Sequence, residues 1–128
     1  MRSQQEGLNR YPFSRQQRLL TPAQFKAVFD RNVTRAASTA FLLLALPNGG
    51  DCSRLGLVVG KKALKRAVDR NRVKRVVREQ FRGTVFHTPV DVIFLARPAI
   101  AVAPLLATDI AKQLDRLDKR LMVLETPR

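Results

Sequence analysis

A chain of 128 residues, 45% of them hydrophobic and 27% charged, has the size of one compact domain with a single modest core. Its 24 Lys and Arg against 10 Asp and Glu leave a formal net charge of +14, which points to a polyanionic partner. The longest stretch without a charge, residues 36–50, holds only the apolar run Phe41 to Leu46, where a membrane-spanning helix needs about 20 apolar residues. Nor do the opening residues Met1 to Glu6 lead into the apolar segment of a secretory signal, so a cytoplasmic protein with no membrane association is expected. Cys52 and His87 are the only cysteine and histidine, which excludes an intrachain disulfide and any Cys-based zinc site.

In chain order, residues 1–14 are polar with scattered Arg and no apolar period, and are expected to form a flexible tail. Thr21-Pro22-Ala23-Gln24 then places a capping Thr before a Pro at the first helical position and a Gln at the third, and Phe25, Val28 and Phe29 make one apolar stripe. That helix should end near Arg31 or Asn32. Residues 33–40 favour an extended edge strand. Phe41 to Leu46 and Arg54 to Val59 are apolar runs separated by Pro47-Asn48-Gly49-Gly50, and together they predict an antiparallel hairpin.

From about Ala63 to Arg82, Val73, Val76, Val77 and Phe81 mark one face of a helix, with Gly83 as its stop. Val90 to Ala96 reads as a strand closed by Arg97-Pro98. Thr108 is the expected cap of a last helix striped by Ile110, Leu114, Leu117 and Leu121. The expected fold is α+β, an α/β sandwich in which one sheet is covered by helices.

The charge is concentrated in one window: residues 61–82 carry ten cations and two acids, Asp69 and Glu79. Arg66, Arg70, Lys74, Arg78 and Arg82 recur every four residues, with Lys62, Asn71 and Arg75 close by, so they stack as a nearly uniform positive ridge. Each like-charge pair at that spacing costs about 0.2–0.5 kcal/mol, and Lys61, Lys62 and Lys65 add positive charge near the positive end of the helix dipole. A solvated surface helix would alternate signs; a polyanion that neutralises the ridge explains the pattern better. Arg-rich forks suit phosphates. The apolar face offers Val, Ala and Phe for packing on a sheet rather than Trp and Leu for a membrane surface, and strands on both sides argue against a helix-turn-helix DNA reader. The residues by themselves lead to nucleic acid, with structured RNA ahead of DNA.

The segments Arg-Leu-Gly-Leu-Val-Val-Gly-Lys-Lys at 54–62 and Arg-Asn-Arg-Val-Lys-Arg-Val-Val-Arg-Glu-Gln-Phe-Arg at 70–82 strongly resemble the bacterial ribonuclease P protein subunit family. Arg18 to Phe29 resembles that family's first helix and Val92 to Pro98 its last strand, so the likeness covers residues 15–122, leaving 123–128 as a C-terminal tail. The resemblance implies a small, mostly antiparallel sheet with a left-handed βαβ crossover, a fold also found in a domain of a ribosomal protein. It implies a partner to a catalytic RNA that removes the 5′ leader of precursor tRNA, with magnesium held mainly by RNA, no catalytic side chains or metal ligands in the protein, and no obligate protein partner. By the same resemblance Lys61, Lys62, Arg66, Arg70, Asn71, Arg72, Lys74, Arg75 and Arg78 would face the catalytic RNA. Arg18, Phe25, Lys26 and Phe29 would line a cleft for the leader. Where many members carry an aromatic in the second strand, this chain has Leu43 and Leu44.

On pattern alone Phe25 and Phe29 are core residues; the resemblance makes them cleft residues. His87 reads as a surface side chain, and Asp69 and Glu79 as local charge partners rather than an acid/base or metal pair. A ribosomal or general RNA-binding protein without a catalytic role is the alternative function.

Overall fold

In the computed structural model, which describes residues 20–103 and 105–125, the elements run α1 (Pro22–Arg31), β1 (Thr34–Ala37), β2 (Phe41–Pro47), β3 (Arg54–Val58), α2 (Ala67–Arg82), β4 (Val90–Ala96), a 3-10 helix (Pro98–Val102) and α3 (Leu106–Glu125). The capping signal at α1 operates as its residue types dictate. Gln24 N donates to Thr21 Oγ1 at 3.2 Å while Thr21 N donates to Gln24 Oε1 at 2.8 Å, closing a capping box. At the other end Asn32 Nδ2 donates to the carbonyls of Val28 and Phe29.

The four strands form one sheet in the order β1-β2-β4-β3. β1 is the short edge strand expected, antiparallel to β2. The expected hairpin between Phe41–Leu46 and Arg54–Val59 does not form: β4 lies between them, antiparallel to β2 and parallel to β3. Burial explains the order. β4 hides Val90 to Phe94 without interruption and needs cover on both edges and both faces, whereas β3 carries the half-exposed Arg54 and can serve as an edge. The parallel pairing of β3 and β4 is possible because α2 provides the crossover between them.

Alternation along the strands divides the sheet into two faces. Phe41, Leu43, Ala45, Leu55, Val92 and Phe94 pack with Val73, Val77 and Phe81 of α2 and Ile110, Leu114, Leu117 and Leu121 of α3. The rings of Phe41 and Phe94 stack with centroids 5.0 Å apart. The opposite face is smaller: Leu44 and Ile93 meet Leu20 and Val28, with Phe25, Leu42, Leu46 and Val58 at the margin. Leu43 and Leu44 therefore face opposite ways, and Leu44, the one beneath α1, is buried.

Three further boundaries differ from expectation. The segment 63–66 is turn and bend rather than helix, so α2 starts at Ala67. Thr108 does not cap α3; Leu105 takes a positive φ of 52° and its carbonyl accepts from Asp109 N, placing Thr108 inside the first turn. α3 continues to Glu125 through the exposed Val123 and Leu124, into the segment expected as a tail. Residues 1–14 lie outside the described residues.

A polar knot fastens the β2–β3 connection to the start of β4. Asp91, buried on the α1 side of the sheet, accepts from Arg54 Nε at 2.8 Å and Nη2 at 3.0 Å and from Asn48 Nδ2 at 2.8 Å. This bond to Asp91 raises the pKa of the Arg54 guanidinium above its ordinary value. Asn48 N also donates to Pro89 O, and Val90 N donates to Ser53 Oγ. Asp91→Ala strands a half-buried guanidinium and an amide, so stability should fall by about 2–4 kcal/mol, seen as a drop in melting temperature of about 10 °C.

Candidate nucleic-acid interface

The basic window folds as two pieces. After β3 the chain turns at Gly60, whose carbonyl accepts from Ala63 N and Leu64 N, and this loop presents Lys61, Lys62 and Lys65 to solvent. α2 follows, anchored by Val73, Val77 and Phe81. The four-residue row is not a straight ridge, because steps of four advance about 40° around a helix of 3.6 residues per turn. It starts near the buried side at Arg70 and winds outward through Lys74 and Arg78, all three half-buried. The fully exposed face is built from Asn71, Arg72 and Arg75, with exposed Arg66 preceding it.

Arg70 has a different task from its neighbours. Its Nη1 donates to the carbonyls of Leu64 at 2.9 Å and Lys65 at 2.8 Å, clamping the cationic loop onto the first turn of α2. Sequence spacing gave it the role of an outward contact; the structure makes it the brace that fixes where Lys61, Lys62 and Lys65 stand. Arg66 lies 3.9 Å from Asp69, whereas Glu79 forms no ion pair among the described residues.

Val68, 51% exposed, stands among these cations one turn before Asn71 and Arg72. Spacing could have singled it out, since it falls outside the Val73/Val77/Phe81 stripe. It adds an apolar contact to the charged face.

The α1 residues lie on the other side of the sheet. Phe25 packs over Gly56 of β3, where a side-chain Cβ would come within 2.7 Å of its Cζ and 2.9 Å of Leu20 Cδ1, so only glycine admits the ring so close. Phe29, one turn on, is 45% exposed. Phe25 belongs largely to the small core, as its place in the apolar stripe predicts, whereas Phe29 offers a ring to solvent. Lys26 is exposed and bonded to Asp30 at 2.7 Å, which raises its pKa. Arg18 lies outside the described residues. The structure thus separates the two predicted sets by the thickness of the sheet, with β3 passing beneath Phe25 and leading into the Lys61–Lys62 loop.

His87 lies at the surface, as expected, but is bonded there. Its backbone N donates to Asp118 Oδ1 at 3.0 Å and its Nδ1 lies 2.8 Å from the same oxygen, tying the loop after α2 to α3. With Asp91 engaged by Arg54 and Asp118 by His87, the described residues gather no group of three or more metal-ligating side chains.

These geometries separate bracing cations from available ones. Arg70→Gln should lower stability by about 1–2 kcal/mol through the two orphaned carbonyls. The double change Lys74→Gln/Arg78→Gln should stay within about 0.5 kcal/mol of the parent. Paired thermal melts check both.

Comparison with known proteins bears on the family. The sequence model of the family described as Ribonuclease P matches residues 13–122. The ribonuclease P protein component of Ectopseudomonas mendocina is 46% identical over 110 residues, covering 85% of this chain and 81% of the relative. That of Azotobacter vinelandii is 44% identical over 110 residues, covering 85% and 83%. Among solved structures, the ribonuclease P protein of Thermotoga maritima superposes with a TM-score of 0.64 at 30% identity, covering 81% of this chain and 96% of that one. The Staphylococcus aureus protein gives 0.64 at 26% identity, covering 84% and 94%. A family match across most of the chain, two relatives well above 40% identity and a shared fold lead to one conclusion: the chain belongs to the ribonuclease P protein family.

Proposed function

We propose that this chain, as the protein component of ribonuclease P, holds the catalytic RNA on the loop 61–65 and α2 and the 5′ leader of precursor tRNA on the α1 side of the sheet. The observation that carries this reading is a helix that repels itself: Arg72, Lys74, Arg75 and Arg78 occupy consecutive turns of α2, and none of them forms an ion pair among the described residues. Such a surface is relieved by a phosphate backbone, whose condensed counterions the cations displace. Asn71 and Val68 add a hydrogen-bonding amide and an apolar contact for exposed bases.

On this reading the hydrolysis is carried by RNA. The described carboxylates are spent on Arg54, Lys26, His87 and Lys119 or stand apart, and do not assemble the donor set that magnesium requires. Magnesium then sits on RNA phosphates, and the protein contributes by binding and charge neutralisation, in the cytoplasm where tRNA is processed. Phe29 supplies the aromatic surface for an unpaired leader base that β2, with buried Leu44, does not offer.

Cleavage assays with full-length protein, catalytic RNA and precursor tRNA test this. Protein alone should leave precursor tRNA intact, and adding it to the RNA should restore cleavage at lower magnesium. Cleavage by nuclease-free protein alone overturns the RNA-catalysed reading, and purification with ribosomal RNA but no ribonuclease P RNA overturns the holoenzyme reading.

The two phenylalanines give a sharper outcome. Phe29→Ala should weaken binding of leader-bearing substrate by about 5- to 150-fold, leaderless substrate little, and leave the melt unchanged, since stacking on one aromatic is worth about 1–3 kcal/mol per base. Phe25→Ala should mainly lower the melting temperature, by about 2–3 kcal/mol of stability. Equal loss on both substrates with Phe29→Ala would remove the leader from this face.

A further inference from the structure

We propose that α3 carries a second phosphate-binding track, formed by Lys112, Arg116 and Arg120 with Arg35 at the sheet edge, which engages an RNA segment separate from the one on α2. The proposal rests on the RNA-binding reading of the chain and extends it to a helix that the basic motif does not include.

The apolar stripe of α3, Ile110, Leu114, Leu117 and Leu121, is fully committed to the core. Lys112, Arg116 and Arg120 follow one another at four-residue spacing, all exposed. Each step rises about 6 Å along the axis, of the order of the separation between successive phosphates along a nucleic-acid strand. Of the acids on this helix, Asp115 and Asp118 are used elsewhere, and Asp109, one turn before Lys112, forms no ion pair with it among the described residues. Asp115 pairs with Lys119 at 3.1 Å, and Asp118 holds His87 at 2.8 Å. The residues one turn to either side of Arg116 are Lys112, Gln113, Lys119 and Arg120, so it has no acid on its own face. Among the described residues neither Lys112 nor Arg116 forms an ion pair.

The row is also anchored. Arg120 Nη1 donates to the backbone carbonyl of Arg35 in β1, so the end of the row is held against the sheet edge, where the exposed Arg35 continues the positive surface. α3 packs between α2 and β1. Asp118, bonded to the loop after α2, marks the α2 side, and Arg120 marks the β1 side. Asp115 and Lys119 lie between. The two cationic surfaces are thus divided by a line bearing acids, which a single phosphate strand would have to cross unfavourably. Two RNA segments meet this geometry better than one.

The test uses the full chain and the catalytic RNA of ribonuclease P, with binding measured from about 50 to 400 mM salt. Lys112→Gln/Arg116→Gln should weaken binding by about tenfold near physiological salt and flatten the dependence of log K on log salt by about one to two units. The charge-preserving pair Lys112→Arg/Arg116→Lys should restore both. Combined with Lys74→Gln/Arg78→Gln, the losses should add, and hydroxyl-radical footprints should show different RNA positions exposed by each pair. An unchanged slope for the α3 pair, with a reduced slope for the α2 pair, overturns the second track and leaves the proposed function standing. Unchanged slopes for both overturn the RNA-binding reading itself. Footprint losses at the same RNA positions would reduce the two tracks to one and overturn their separation.

Discussion

The central place of β4 is the constraint on which the remaining architecture depends. Its residues from Val90 to Phe94 are buried on alternating faces, so both faces of the sheet need cover and both of its edges need a partner strand. β2 supplies one edge and β3 the other, which forces the chain to leave β3, cross the sheet as α2 and return in parallel. The most highly charged segment of the protein is therefore the crossover itself. Its apolar stripe is pinned to the core through Val73, Val77 and Phe81, and its cations are presented from a rigid support.

Asp91 shows how closely this arrangement is tied to single residues. It follows the first residue of β4 and points to the face that α1 leaves partly open, where an unpaired carboxylate would be costly. Arg54, its register partner in β3, and Asn48, from the connection out of β2, both bond to it, so one side chain records the insertion of β4 between its neighbours. Arg70 plays a comparable part in the cationic loop by holding two of its carbonyls. In a chain this basic, some cations are structural, and those free to meet a polyanion are recognised by what they do not touch.

The sheet also divides the protein's surface into two faces. Phe29 and Lys26 stand on the α1 side, the 61–65 loop and α2 on the other, and α3 fills the second face between α2 and β1. Cationic or aromatic surfaces thus surround a thin apolar core. A protein of this size can touch several segments of a larger RNA without needing an interior site of its own.

Local signals were legible wherever neighbouring residues decide the outcome. The capping box at Thr21, the end of α1 at Asn32, the apolar stripes of α2 and α3, the short edge strand and the concentration of charge in residues 61–82 all follow from spacing and side-chain chemistry. The motifs at 54–62 and 70–82 were specific enough to carry the family. Strand order was not legible from spacing, because adjacency in sequence favours a β2–β3 hairpin and only competition for the doubly covered position gives that place to β4; the βαβ crossover implied by the resemblance is what anticipated the parallel β3–β4 pair. The starts of α2 and α3 escaped for a related reason: Arg70 braces residues that would otherwise extend a helix, and Leu105, in a backbone conformation unusual for leucine, displaces the Thr108 cap. The same holds for the site. Sequence determined that this protein carries a self-repelling cationic surface; tertiary structure decided which cations brace the fold and which face outward, because spacing fixes only the angle around a helix axis, and burial depends on what packs against it.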